Sequence, residues 1–334
     1  METALIVLNQ IIMMFILAAV GYLLFKHGKI TVEGSRTLAN VLIYVSLPCV
    51  IASSFFVEFT PEKLQQLLMS TLAALAVTVI SVGLSRALCR GNAVNAVAVA
   101  FSNCGFFGIP VLTAALGNEA VFYVAMYIAF ANIGQWTVAG RWMKAADENG
   151  NFRKAGSGQT GAESSSADPQ ESIGAIVLDV LSRLRKAPFM IALVIGLFFF
   201  LTGLKMPAIP ARAISFLAGL NTPIAMFTVG IYMAQTDIAA MFRKKMLYWV
   251  SFVRLLLIPL VTLAALSLIP NTYLPLKTAY IITSSCAVGS NVAVYAQLFD
   301  ADYTYAVETV VISTLLSIVT LPVIVALASV LWGF

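Results

Sequence analysis

Two polar clusters interrupt otherwise apolar stretches, and they are where this sequence could do chemistry. Ser102-Asn103-Cys104-Gly105, with Gly108 and Pro110 following, lies in the apolar run 93–117. Ser284, Ser285, Cys286, Gly289, Ser290 and Asn291 lie in the run 276–299, here without a proline. Proline removes a backbone donor and glycine weakens a helix, so both runs are expected to break at these clusters. Each half of the first run would be about 14 Å long, which puts its break near the centre of a bilayer. A break at that depth frees N–H and C=O groups, tolerable only inside protein or beside a polar cavity. Half-helix N-termini suit an anion. Helix packing is the competing reading, because Gly and Ser also line ordinary membrane-helix contacts. The recurrence of the pattern, with an asparagine each time, favours a substrate site built from Ser102, Asn103, Gly105, Pro110, Gly289, Ser290 and Asn291.

Two ionisable residues fall inside apolar runs, where each costs about 2.5–3.5 kcal/mol. Arg254 follows Lys245 by nine residues, about 13 Å, and Glu308 follows Asp302 by six, about 9 Å. Their similar depth allows a direct ion pair bracing two helices. The functional alternatives are Arg254 as a carboxylate clamp within the substrate site and Glu308 as the ion-coupling, proton-carrying group. Asn132 and Gln135 are candidate cavity lining, with interhelical hydrogen bonding as the alternative. Tyr44 and Asn221 are further polar residues within apolar runs.

Most catalytic chemistries are absent from the pattern. His27 is the single histidine, so no His-based triad or metal site can form. The four cysteines (Cys49, Cys89, Cys104, Cys286) show no CxxC spacing and read as small apolar residues. Asp300-x-Asp302 lacks further ligands for a metal. There is no GxxxxGK[ST] loop, no repeated Arg spacing of a voltage sensor and no TVGYG filter. The chain is expected to be no enzyme and to need no cofactor, with H⁺ or Na⁺ as coupling ions.

The elements that must position these clusters follow from composition. Of 334 residues, 60% are hydrophobic and 10% charged, against about 45–50% and 25% in soluble domains. Mean hydropathy is +0.93. So few charges cannot cover a soluble surface of this size, and the class is an all-α polytopic membrane protein with lipid around it. Ten spans are expected, near 4–25, 37–56, 65–88, 93–117, 120–141, 187–204, 211–235, 246–269, 276–299 and 304–332. The first run follows Met1-Glu2-Thr3 with no basic segment and is long enough to span, so it reads as a retained helix rather than a cleaved signal. Residues 145–172 are Gly/Ser-rich and polar and read as a flexible linker. Ile176, Val177, Val180, Leu181 and Leu184 then recur at helical spacing, with Arg183, Arg185 and Lys186 near the end, as in a short surface helix.

With ten spans, fifteen Lys and Arg fall in one set of loops and four in the other. The positive-inside rule then puts both termini outside a cell inner membrane and the linker in the cytoplasm. The net charge of +5 is spread in short clusters between spans, unlike the contiguous basic face that nucleic acid requires. Five spans on each side of the linker make the second set enter the membrane inverted. Ser46-Leu47-Pro48 and Asn221-Thr222-Pro223 occupy corresponding places, as do the two polar clusters, in the manner of an inverted-repeat transporter.

Asn103-Cys104-Gly105-Phe106-Phe107-Gly108-Ile109-Pro110, Thr222-Pro223-Ile224-Ala225-Met226-Phe227-Thr228-Val229-Gly230, Arg254-Leu255-Leu256-Leu257-Ile258-Pro259 and Ser313-Thr314-Leu315-Leu316-Ser317-Ile318-Val319-Thr320-Leu321-Pro322 together resemble the auxin efflux carrier family, which includes bacterial malate- and malonate-permease-like proteins. The resemblance covers nearly the whole chain outside 145–172. It implies two inverted five-helix repeats, here 1–141 and 187–334 joined by the segment 142–186. It also implies broken crossover helices at spans 4 and 9, a scaffold of spans 1, 2, 6 and 7, and a mobile core of spans 3–5 and 8–10. Plant members are homodimers. The more distant bile acid–sodium symporters share the fold. The expected function is elevator-type secondary transport of a small organic anion, a mono- or dicarboxylate. The alternatives are a sodium-coupled symporter of organic anions and a transport-dead ligand sensor signalling through 145–186.

Overall fold

A computed structural model describes residues 2–147, 149–152 and 188–334. Among these residues the protein is helical, with isolated β-bridges and no strand. The helices are α1 (Glu2–Lys26), α2 (Val32–Ser54), α3 (Pro61–Leu88), α4 (Ala93–Ala100), α5 (Cys104–Leu116) and α6 (Ala120–Lys144), then α7 (Pro188–Thr202), α8 (Ala208–Gln235), α9 (Lys245–Leu266), α10 (Leu274–Ser284), α11 (Asn291–Leu298) and α12 (Tyr303–Trp332). Seven of them are long and apolar enough to cross a membrane: α1, α2, α3, α6, α8, α9 and α12. Helices α5 and α7 are apolar but shorter.

Capping residues explain several boundaries. Helix α2 starts five residues before the expected 37 because the Thr31 hydroxyl accepts the Gly34 N–H. In the same way Thr60 takes the Lys63 N–H ahead of α3, and Asn92 takes the Asn95 N–H ahead of α4. Inside the long helices, proline leaves a repeated mark. Pro48, Pro110 and Pro259 each follow a widened π-type turn, at Leu42–Ser46, Cys104–Gly108 and Val253–Leu257. A proline ring collides with the carbonyl four residues earlier and offers it no N–H, and opening the turn relieves both problems without ending the helix. Pro110 therefore does not mark the break in 93–117. The helix stops at Ala100, three residues stay non-helical, and α5 then runs through Pro110.

The expected linker is partly ordered. The Asp147 carboxylate accepts the N–H groups of Asn149 and Asn151, and Gly150 takes a φ of +76°. This turn folds back on Asn92 through an antiparallel bridge from Asn151 and buries Ala146. A polar, glycine-containing segment can pack when a carboxylate holds its backbone, so residues 145–147 and 149–152 do not behave as flexible linker. The rest of that segment, the expected helix at 176–186 included, lies outside the described residues.

Helices α1 and α8 pack unusually closely through two glycines. A Cβ on Gly230 would lie 1.9 Å from the Ala18 carbonyl oxygen, and one on Gly21 would lie 2.4 Å from that of Phe227. Gly230→Ala is therefore expected to destabilise the protein by about 3 kcal/mol, because backbone cannot yield as a side chain does. Gly83→Ala, on α3 with nothing within 4 Å, serves as the control and should be neutral or mildly stabilising. Thermal unfolding of the two variants in detergent checks the contrast.

Candidate functional site

The chain breaks twice, between α4 and α5 at 101–103 and between α10 and α11 at 285–290, and the two breaks lie against each other. Ser102 and Val288 form an antiparallel bridge. The Asn103 N–H donates to the Ala287 carbonyl at 2.8 Å, and the Gly289 N–H donates to the Phe101 carbonyl at 3.0 Å. Each break thus satisfies backbone groups that the other leaves open, which a low-dielectric interior demands. Gly289 lies close to the other break: a Cβ there would meet the Phe101 and Ser102 carbonyl oxygens at 3.3 Å, a tight contact that would press the two breaks slightly apart. The Ser313 hydroxyl accepts the Val288 N–H from α12 at 3.1 Å.

Arg254 is fully buried behind this crossing. Its guanidinium donates to the carbonyls of Val99 at 3.0 Å, Cys286 at 3.3 Å and Ser284. Val99 is in the last turn of α4, and Ser284 ends α10. One cation therefore holds the C-terminal ends of α4 and α10, where orphan carbonyls and the negative ends of two helix dipoles gather. The planar fork of donors suits this task better than an ammonium would.

In front of the crossing lies a small cavity of about 20 Å³, room for about one water molecule. Ser102, Asn103, Gly105, Gly289, Ser290, Asn291, Asn132 and Gln135 all line it, together with Leu47, Cys104 and Phe106. The first turns of α5 and α11 face it, so the positive ends of two helices converge there. Asn103 Nδ2 donates to Ser290 Oγ at 3.1 Å, joining one break to the other. Asn291 Nδ2 donates to Gln135 Oε1 at 2.6 Å, and Asn132 Nδ2 turns back to the Ile128 carbonyl at 2.8 Å. Ser102 Oγ meets the Tyr127 hydroxyl at 3.2 Å. From α8, Asn221 Nδ2 donates to the Gly105 carbonyl at 3.0 Å, and a Cβ on Gly105 would press on Leu47 of α2 at 3.2 Å.

The sequence-predicted residues thus separate into two groups. Eight line the cavity. Pro110, Arg254 and Glu308 do not: Pro110 is inside α5, and Arg254 is taken up by backbone carbonyls. Arg254 and Glu308 do not pair, contrary to the arrangement their depths allow. Lys244 Nζ instead donates to both carboxylate oxygens of Glu308, at 2.8 and 2.6 Å. Lys244 precedes α9 and its long stem reaches the buried carboxylate from a half-exposed position, whereas Arg254 finds three carbonyls closer at hand. Tyr44 is largely exposed on α2. Tyr127 and Leu47 join the site without a sequence signal, because an aromatic and a leucine in apolar runs look like any other core residue.

A family model described as "Membrane transport protein" matches residues 6–325. A protein of Rhizobium meliloti (strain 1021) bearing the name "Putative malonate transporter" is 27% identical over 321 residues, which covers 92% of this chain and 91% of that relative.

Proposed function

Because the chain belongs to this membrane transport protein family, the auxin efflux carrier family whose motifs it shares, we propose that it is a secondary carrier of a small organic anion, a mono- or dicarboxylate such as malonate or malate. In this reading α4 with α5 makes a fourth membrane crossing and α10 with α11 a ninth, giving ten crossings in two inverted sets of five. The observation that carries the proposal is the convergence of two helix starts, at Cys104 and Asn291, with the amides of Asn103, Asn132 and Gln135 on one cavity. Each helix start contributes about half a positive charge, and two together match one carboxylate. The amide and hydroxyl groups supply directional hydrogen bonds and no competing negative charge.

A cavity of about 20 Å³ is too small for a dicarboxylate, so loading requires the two walls to part. One wall is the crossing itself, carried by α3–α6 and α9–α12. The other is Leu47 on α2, beside which Asn221 of α8 is hydrogen-bonded to the Gly105 carbonyl. Sliding of the first set against a scaffold of α1, α2, α7 and α8 is the elevator step of this proposal. Arg254 then acts as a positioning residue that keeps both half-helices in one rigid unit. Glu308 fits a bracing role better than ion coupling, since Lys244 occupies both of its oxygens and it lies outside the cavity.

The test is a thermal-shift panel on the purified full chain with malonate, malate, succinate, lactate and indole-3-acetate, each in Na⁺ and in K⁺. A ligand at 100 times its dissociation constant adds about 2.7 kcal/mol of stability. Stabilisation by a carboxylate in either cation is the expected result. Stabilisation only in Na⁺ would turn the reading toward a sodium symporter, and none with any carboxylate would remove the proposal.

A further inference from the structure

A larger space adjoins the site at one end of the molecule. It holds about 440 Å³ between the start of α2, the end of α8, the end of α11 and the start of α12. A narrow waist of about 10 Å³ follows. Ile43, Tyr232 and Val294 line both the wide space and the waist, while Phe106, Ser290 and Asn291 line both the waist and the small cavity. The wide space thus adjoins the site as a vestibule, with the side chains of the shared walls between the two. The other large space, about 600 Å³ at the far end near Phe55 and Lys205, shares no wall with the cavity.

Arg36 is the one charged residue lining the vestibule. Among the described residues no carboxylate lies within ion-pair distance of it. Asn40, Gln235 and Gln297 surround the same space with amides, and Ile43 and Val294 add an aliphatic wall. A guanidinium with no carboxylate partner among the described residues, set beside amides and an aliphatic surface, matches an organic anion with a short carbon skeleton. We infer that the vestibule is a second, outer binding site for the transported class of organic anion, with Arg36 holding a carboxylate before the anion passes the waist. The inference rests on the carrier reading proposed above and adds to it a residue that sets anion affinity on this side. Because Arg36 is exposed, its attraction is screened by salt, which a purely structural residue would not report.

The experiment uses the full chain in proteoliposomes, with radiolabelled malonate on the Arg36 side and ionic strength varied with potassium chloride. Arg36→Gln is expected to raise KM about tenfold with little change in kcat, the loss of one hydrogen-bonded charge contact. Arg36→Lys should recover most of the affinity. The wild-type KM should rise with salt, and that of Arg36→Gln should be flat. Wild-type uptake with an unchanged KM and salt response in Arg36→Gln would overturn the outer site alone. Absence of uptake by the wild type, for malonate and for lactate, would overturn the carrier reading and the outer site together.

Discussion

Asn103→Ala is expected to lower carboxylate uptake about a hundredfold while the protein remains folded. The side chain stands at the first break and its amide reaches Ser290 on the second, so it both faces the cavity and fixes the spacing of its two helix starts. The hydrogen bond to Ser290 is neutral, and its loss costs about 1 kcal/mol of stability. A contact to a bound carboxylate is charge-assisted and worth up to about 3 kcal/mol, the larger of the two effects and the one that uptake reads. Asn103→Asp sharpens the test. Its carboxylate would sit at the two positive helix ends, favourable for the protein alone, yet would repel an anionic substrate. Unfolding temperature near or above wild type with uptake lost is the expected pair of readings for Asp. Normal uptake in either variant would remove Asn103 from the site.

Arg254→Met is expected to destabilise the protein by about 3 kcal/mol and to abolish uptake with it. Methionine fills similar volume but leaves the carbonyls of Val99, Ser284 and Cys286 buried without donors, each at a cost of about 1–3 kcal/mol before relaxation. Arg254→Lys keeps the charge and should recover part of the stability, since one ammonium cannot span the same fork of acceptors. A Met variant as stable as wild type in detergent unfolding would show that the half-helix ends find other partners.

The site was legible in the sequence wherever polarity itself was the signal. Asn, Ser and Gly inside apolar runs stand out, and Ser102, Asn103, Gly105, Gly289, Ser290 and Asn291, with Asn132 and Gln135, do line one cavity. Arg254 was visible as a costly buried charge, but its partners were not, because backbone carbonyls carry no letter in the sequence. Depth along the helices put Glu308 within reach of Arg254, whereas rotation around the helices, which depth ignores, gives Glu308 to Lys244. Pro110 drew attention as a helix breaker, yet a widened turn absorbs it. The seven long spans were readable from apolar length alone. The order at 145–147 and 149–152 was hidden because the composition is that of a linker, while bonds to the Asp147 carboxylate and from Asn92 hold its backbone.

The bridge between Ser102 and Val288 also bears on how the molecule is made. Its two residues are 186 positions apart in sequence, and a ribosome delivers them in order. When the segment around Ser102 has emerged, the Phe101 carbonyl and the Asn103 N–H have no mates, and these arrive only with Ala287 and Gly289. The guanidinium that steadies Val99 comes late as well. The front part of the chain must therefore wait, incompletely satisfied, for most of the remainder to be synthesised. Assembly of the centre is completed only late in synthesis, and products truncated before residue 287 leave the Phe101 carbonyl and the Asn103 N–H without these partners.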